Sequence, residues 1–302
     1  MGEPVEVGRI RPGELSSLVA IWNESFRQEL SQRGADLGEI APLFRLLLSF
    51  NRLPLRVLHR LGIPVDVWVI RVEGRVVGGV GQIGYRVPYI VGLVVHPDKR
   101  ELRLVRILEG ELAANLKRAG YSVMRAHVPY GHPIAKLGLK LGWEIVGETR
   151  QFVLPLRNLS PKLRTRPPKF LGLRRERALA RGCEAAGDVK GLLSLERNYG
   201  GPLARLFGFR EVFLVEGGVG DPLGVAGIAW NTFQPVSFMH VPLLRDESAF
   251  EALLGAAASL LASCGKAELH VDLWEEQRRP TEYLRAVGAQ EAGRWLYLIK
   301  RL

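Results

Sequence analysis

The sequence predicts an α/β protein built as two similar halves, each a mixed, mostly antiparallel sheet with helices on both faces. Three observations predict it. Short apolar runs take turns with stretches whose apolar residues are spaced at three and four. The same order of elements returns in the second half of the chain. Between the halves lies a basic, Pro-containing segment with little apolar periodicity before Phe170.

In the first half, Val5 to Arg9 reads as a short strand. Pro12 and Gly13 lead into a helix carrying Leu15, Leu18, Val19, Trp22 and Phe26 at helical spacing. A second helical region is expected from Pro42 to Leu61, interrupted by Pro54. Asp66 to Val72 is a strand with a turn at Glu73-Gly74-Arg75, followed by strands from Val76 to Tyr85 and Pro88 to Val95. Glu101 to Ala119 is a helix stopped by Gly120. A strand from Ser122 to Val128 and a helix from Pro133 to Leu141 follow. Two strands, Trp143 to Gly147 and Arg150 to Leu156, close the half.

The second half repeats this order. A helix is expected over Asp188 to Arg197, then strands over Glu211 to Glu216, Gly224 to Asn231 and Pro235 to Val241. A helix from Glu247 to Cys264, a strand from Lys266 to Asp272, a helix from Thr281 to Val287 and a strand from Arg294 to Lys300 complete it. Gly78, Gly142 and Gly147 recur 146 residues on as Gly224, Gly288 and Gly293, each in the same context of strand, helix end and turn. That shared context reads as a diverged internal duplication.

A chain of 302 residues is long enough for two domains. The expected division is 1–156, a basic linker over 157–181, and 182–302. With 47% apolar residues there is enough burial to offset chain entropy, which excludes a largely disordered protein. The longest uncharged helical stretch, Ala252 to Gly265, is shorter than the roughly 20 apolar residues that cross a bilayer. The N-terminus has neither the basic start nor the apolar run of a secretory signal. Cys183 and Cys264 alone make neither a disulfide framework nor a four-ligand zinc site, so a cytoplasmic protein without a metal centre is expected. Arginine outnumbers lysine 33 to 9 and Asn occurs only six times, a bias that a hot habitat or a GC-rich genome would produce. The net charge of +11 is uneven: +6 over 1–156, +8 over 157–181 and −3 over 182–302. The linker would therefore attract a polyanion, but with Phe170 as its one aromatic it offers little for base stacking, so nucleic-acid binding is not favoured.

The most informative stretch is VGLVVHPDKRELRLVRILEGELAANLKRAGYSVMRAHV, followed by HPIAKLGLKLGWEIV. A strand ending in Val95-His96-Pro97 runs through a loop into a long helix, and Lys140-Leu141-Gly142-Trp143 ends the helix after the next strand. In this the chain resembles the GCN5-related N-acetyltransferase (GNAT) family, well over about 5–156 and weakly over 182–302, as a tandem member. The resemblance implies acyl transfer from acetyl-CoA, or a related acyl-CoA, to an amine-bearing small molecule or protein. The amine would attack the thioester directly.

It also implies site residues. Backbone amides near Leu93, Val94 and Val95 would orient the pantetheine and polarise the carbonyl. The family loop begins with a basic residue or Gln and carries small residues three and five positions on, so that helix amides approach a pyrophosphate. Here Arg100 keeps the first position, whereas Arg103 and Val105 replace the small ones and Glu101 adds a negative charge. The functional reading has Arg100, Arg103 and Arg106 meeting phosphate with their side chains, beside the amides of Leu104 and Val105. The rival reading is a noncatalytic binding protein that kept the scaffold and lost the cofactor loop. The family's frequent general-acid Tyr is replaced by Gly138, and by Leu284 in the second half, with Tyr283 one residue off.

Other residues offer proton chemistry. His127 and Tyr130, in the turn RAHVPYGHPI, would relay and return a proton, and Glu24 would act as a base if it faced the cleft. The bland accounts are a polar loop with a buried histidine and a solvated helical Glu. His127 and His132 are too few ligands for zinc. Asp272 and Glu275, flanking Trp274, form a pattern able to hold an amine, and solvated strand ends explain them equally. Arg45, Arg52, Arg56 and Arg60 would line one helical face over the cleft or on an anionic surface.

Overall fold

The computed structural model describes residues 4–25, 65–83, 87–99, 101–158, 169–170, 178–179, 181, 183, 205, 208–217, 222–232 and 236–302. The helices expected over 42–61 and 188–197, the four arginines on the first of them, Arg100 and most of the basic segment lie outside the described residues. The chain forms two compact units, Met1–Ala126 with Ile299–Leu302, and His127–Leu298.

In the first unit the strands β1 (Val5–Arg9), β2 (Val65–Val72), β3 (Arg75–Ile83), β4 (Tyr89–Val95) and β5 (Val123–Pro129, which enters the second unit at His127) lie in that order. All pairs are antiparallel except β4 with β5. The β2–β3 hairpin turns at Glu73-Gly74, as its composition predicts. Helix α1 (Leu15–Ser25) buries Leu15, Leu18, Ile21 and Trp22 against Ile10, Val67, Val69 and Val94. Its stripe recurs at three and four because only that spacing keeps one helical face on the sheet. Each such aliphatic side chain removed from water contributes about 1.5–3 kcal/mol. Helix α2 (Leu102–Arg118) turns Leu104, Leu108, Leu112 and Leu116 inward by the same rule and contacts β1, β2 and β4. Buried on α2, Glu109 is matched by the ammonium of Lys300 at 2.6 Å. Asp66, fully buried, accepts from Arg9, the Trp68 indole and the Val67 amide at 3.0–3.2 Å; burial pushes its carboxyl up against these opposing contacts.

The second unit contains helix α3 (Pro133–Lys140), β6 (Glu144–Pro155), β7 (Lys169–Phe170), β8 (Phe209–Gly217), β9 (Pro222–Asn231), β10 (Val236–Leu244), helix α4 (Ala249–Ser263), β11 (Glu268–Trp274), helix α5 (Arg278–Ala286) and most of β12 (Gln290–Arg301). Its strand order is β12-β6-β11-β10-β9-β8-β7. β10 and β11 run parallel, and the pairs of β7, β8, β9 and β10, and of β11 with β6, are antiparallel. The core lies where α4 and α5 cover Phe152, Leu154, Leu214, Ile228, Met239, Leu269, Val271 and Leu273.

Two details differ from the sequence reading. The expected strands on either side of Gly147 are one strand, β6. Its ladder with β11 runs unbroken from Thr149↔Trp274 to Pro155↔Glu268, and the Glu275 amide adds a bond to the Glu148 carbonyl, so no turn forms there. Lys169 and Phe170, read as linker, add a short strand beside β8. Two of the three recurring glycine pairs stand in like local contexts. Gly142 and Gly288 follow α3 and α5 with φ of +83° and +86°, the left-handed conformation that ends a helix, while Gly78 and Gly224 lie in β3 and β9.

Candidate functional site

Strand β4 sets the geometry. Among the described residues it pairs with β5 at Tyr89↔Arg125 and Ile90↔Ala126, and its next five residues, Val91–Val95, run on without a registered β5 partner. On its other side it stays paired with β3, where Gly81 faces Val91 and Gly79 faces Val94. Gly92 and Leu93 therefore stand opposite the single residue Val80, which is a β-bulge. Gly92 has φ +60°, and a Cβ there would lie 3.0 Å from the Trp22 indole nitrogen. That indole donates to the Gly92 carbonyl at 2.5 Å. The His96 amide bonds the Val77 carbonyl, so antiparallel alternation turns the Val95 amide and carbonyl away from β3, toward the side where β5 has ended its pairing. Of the expected cofactor residues, Leu93, Val94 and Val95 thus lie on a strand segment whose far ladder side β5 leaves unpaired.

After β4, the chain enters α2 at Glu101, whose carbonyl accepts from the Leu104 and Val105 amides at 3.0 and 3.4 Å. Those two amides, expected to meet phosphate, are engaged within the helix, and the Leu104 side chain is buried. Leu102 and Arg103 supply the remaining amides of the first turn. Arg103 and Arg106 are exposed. Glu24, at the end of α1, has an oxygen 3.6 Å from His96 Nε2, while His96 Nδ1 accepts from the Asp98 amide at 3.3 Å. The Asp98 carboxylate also lies 3.7 Å from Nδ1.

His127 and Tyr130 stand in the second unit. The His127 ring meets the Tyr297 ring edge-on with centroids 3.5 Å apart, and Tyr297 in turn lies 5.0 Å from Trp274. Tyr130 is 55% exposed, with the Arg294 guanidinium 4.5 Å from its ring centroid. Arg294 also pairs with Glu148, and Glu275 takes Arg150 at 3.0 Å and Arg294 at 3.4 Å. The charge of Glu275 is thereby matched within the unit, and Trp274 is buried. Asp272 accepts from Gln151 at 3.1 Å, and burial pushes its carboxyl up to about 6 against that bond. These three residues do not form an open amine-holding box.

The parallel pair of the second unit is arranged differently from that of the first. β10 and β11 pair over five positions, Val236↔Glu268 to His240↔Asp272. Where they part, the Gln277 side chain accepts from the Trp274 amide at 3.0 Å and donates to the Val241 carbonyl at 3.4 Å. One side-chain amide thus links the two strands across their gap.

The sequence places Trp22 on the apolar stripe of a helix and His96 in a strand-end tripeptide, gives neither a chemical role, and does not mark Gln277. For Trp22 a signal existed, since a buried indole needs an acceptor for its N–H. Gln277 carries no such signal.

No model of a known protein family matches the chain, and no curated protein matches it. Solved structures do. A tandem GNAT protein from the clavulanic acid biosynthesis pathway matches with 14% identity over 99% of this chain and 98% of its own, at a TM-score of 0.52. An acetyltransferase-like structure from Pyrococcus horikoshii matches at 11% identity, 99% and 89% coverage and a TM-score of 0.59. A GCN5-related N-acetyltransferase from Sphaerobacter thermophilus matches at 14% identity, 99% and 97% coverage and 0.53. The chain therefore has the fold of the GCN5-related N-acetyltransferases in its tandem form.

Proposed function

We propose that the protein transfers an acetyl or related acyl group from its CoA thioester to an amine, with the first unit holding the thioester along β4. The observation that carries this reading is the bulged segment Val91–Val95, whose far ladder side has no β5 partner. Backbone groups in such a segment are ready to pair with an extended, amide-bearing chain, and pantetheine is one. The second unit is the weaker candidate, because Gln277 already bridges the corresponding gap and Asp246 stands before α4 with its carboxylate bonded to the Ser248 amide.

The thioester supplies an acyl group activated toward nucleophiles. In the transfer, the amine nitrogen forms a bond to the acyl carbon, the carbon–sulfur bond breaks, the amine loses one proton and the released thiolate gains one. The chain's part is to align the acyl group, with β4 amides donating to the oxygen that gains negative charge. The exposed Arg103 and Arg106 and the first-turn amides of α2 offer positive charge to the phosphates. Glu24 with His96 offers a carboxylate–imidazole pair for a proton at the α1 end, and His127 and Tyr130 offer an imidazole and a phenol in the second unit. The acceptor is an amine-bearing small molecule or protein.

The altered first turn of α2 favours a second reading, a binding protein on the same scaffold: Glu101 at the cap and Val105 in place of a small residue both work against phosphate. Release of free thiol from acetyl-CoA, followed with a panel of polyamines, amino sugars, amino acids and lysine peptides, separates the two. Amine-dependent release supports transfer. Binding of acetyl-CoA without release with any amine favours the binding protein.

A further inference from the structure

We infer that Trp22 is a positioning residue for the acyl group: by holding the Gly92 carbonyl, its indole fixes the direction of the Leu93 amide. This rests on the reading of β4 as the thioester-binding strand.

The peptide plane between Gly92 and Leu93 couples the two groups. No peptide bond described in the chain is cis, so the carbonyl of Gly92 and the N–H of Leu93 point in opposite directions across one rigid unit. Trp22 Nε1 donates to that carbonyl at 2.5 Å, which turns the Leu93 N–H away from α1. A regular ladder would fix this plane through β3, but the bulge sets Gly92 and Leu93 against one residue and leaves the plane to other partners. The indole, 70 residues away in sequence, takes that role.

Both partners are matched to it. Trp22 is 7% exposed and locked among Leu18, Ile21 and Val94, so its N–H has little freedom to move. Gly92 has φ +60°, and a Cβ would press on three atoms of the indole at 3.0–3.4 Å. A side chain at 92 would therefore displace the ring or the plane. An indole at 22 and glycine at 92 form a single device, and it aims one backbone donor. Such a donor acts on a reaction only when its direction is set beforehand.

The test uses acetyl-CoA carrying ¹³C at the thioester carbonyl and follows that carbonyl's infrared stretch on the full-length protein. With the wild type, the bound band moves to lower wavenumber than in water. Trp22→Phe keeps an aromatic ring in the core and removes the N–H. It returns the band toward its solution position, while affinity for CoA lacking the acetyl group changes less than about threefold. Catalysed transfer falls by about 10–100-fold, short of the full loss of an oxyanion donor. Gly92→Ala gives the same band change from the other partner, and decides the matter if Trp22→Phe does not fold. A band unaltered by both substitutions overturns this inference and leaves the thioester site standing. Failure of the wild type to bind acetyl-CoA overturns both.

Discussion

The guanidinium of Arg71, 2% exposed, grips both carboxylate oxygens of Glu14, with Nε at 2.7 Å and a terminal nitrogen at 2.8 Å. The same guanidinium donates to the Arg9 carbonyl at 3.1 Å and reaches Glu6 at 3.3 Å. Glu14 precedes α1 directly, so the pair ties the start of that helix to β1 and β2. Trp22 sits two turns further along the same helix. The position of the indole at the bulge thus depends on this anchor.

Each partner keeps a second contact when the other is removed, Arg71 with Glu6 and half-buried Glu14 with the Arg11 amide. Arg71→Ala or Glu14→Ala should destabilise the fold by about 1.5–3 kcal/mol, the value of a charge-assisted hydrogen bond, in urea denaturation. Replacing both with apolar residues should cost less than either alone. Burial pushes the Glu14 carboxyl up, but the bonds from Arg71 and Arg11 together outweigh it and hold it below its ordinary 4.5. Its stabilising contribution is therefore complete above that value and is lost as pH falls through the lower folded value. The stability gap between wild type and Glu14→Gln should shrink on acidification below pH 4.5. A gap unchanged between pH 7 and pH 3 would contradict the pairing.

Asp272 has the opposite sign. Its carboxyl titrates at about 6 in the fold against an ordinary 3.8, so between those values the native state holds a proton that the unfolded chain has released. Stability falls as pH rises through that window. Asp272→Asn keeps an acceptor for Gln151 and removes the charge. It should stabilise the protein at pH 8 by about 1–2 kcal/mol and have little effect at pH 3.5. Equal effects at both values would show that Asp272 is not held in its protonated form.

Gln277 joins two strands through one side chain. Gln277→Ala removes both bonds and should lower stability by about 1–3 kcal/mol, at about 0.5–1.5 kcal/mol for each. It should leave acetyl-CoA affinity unchanged, since β4 lies in the other unit. A second molecule of acetyl-CoA bound by this variant would show that Gln277 had been masking a site.

Arg103 decides how the first turn of α2 meets phosphate. If its side chain replaces lost amide contacts, Arg103→Ala weakens acetyl-CoA binding by about 1.5–3 kcal/mol, the value of a charge-assisted bond. If it obstructs the turn, Arg103→Gly tightens binding. The exposure of its side chain favours the first outcome.

Much of the fold was legible because it rests on local pattern. The apolar stripes of α1 and α2, the Glu73-Gly74 turn and the glycines after α3 and α5 are each dictated by residues within a few positions. The single strand β6 was not legible. Gly147 carries a turn signal, and the ladder that overrides it involves Trp274, more than a hundred residues away. The site divides along the same line. Leu93 to Val95 follow from the motif that surrounds them, but the bulge at Gly92 and its indole partner are long-range facts. The engagement of the Leu104 and Val105 amides depends on how the helix begins after Glu101, which the motif register alone does not give.

Calorimetric titration of the full-length protein with acetyl-CoA, paired with hydrogen exchange of the same complex, tests the central claim most directly. One molecule should bind per chain, with slowed exchange confined to 91–95 and the first turn of α2. No heat at millimolar acetyl-CoA, or slowed exchange at 241–250 in place of β4, would contradict it.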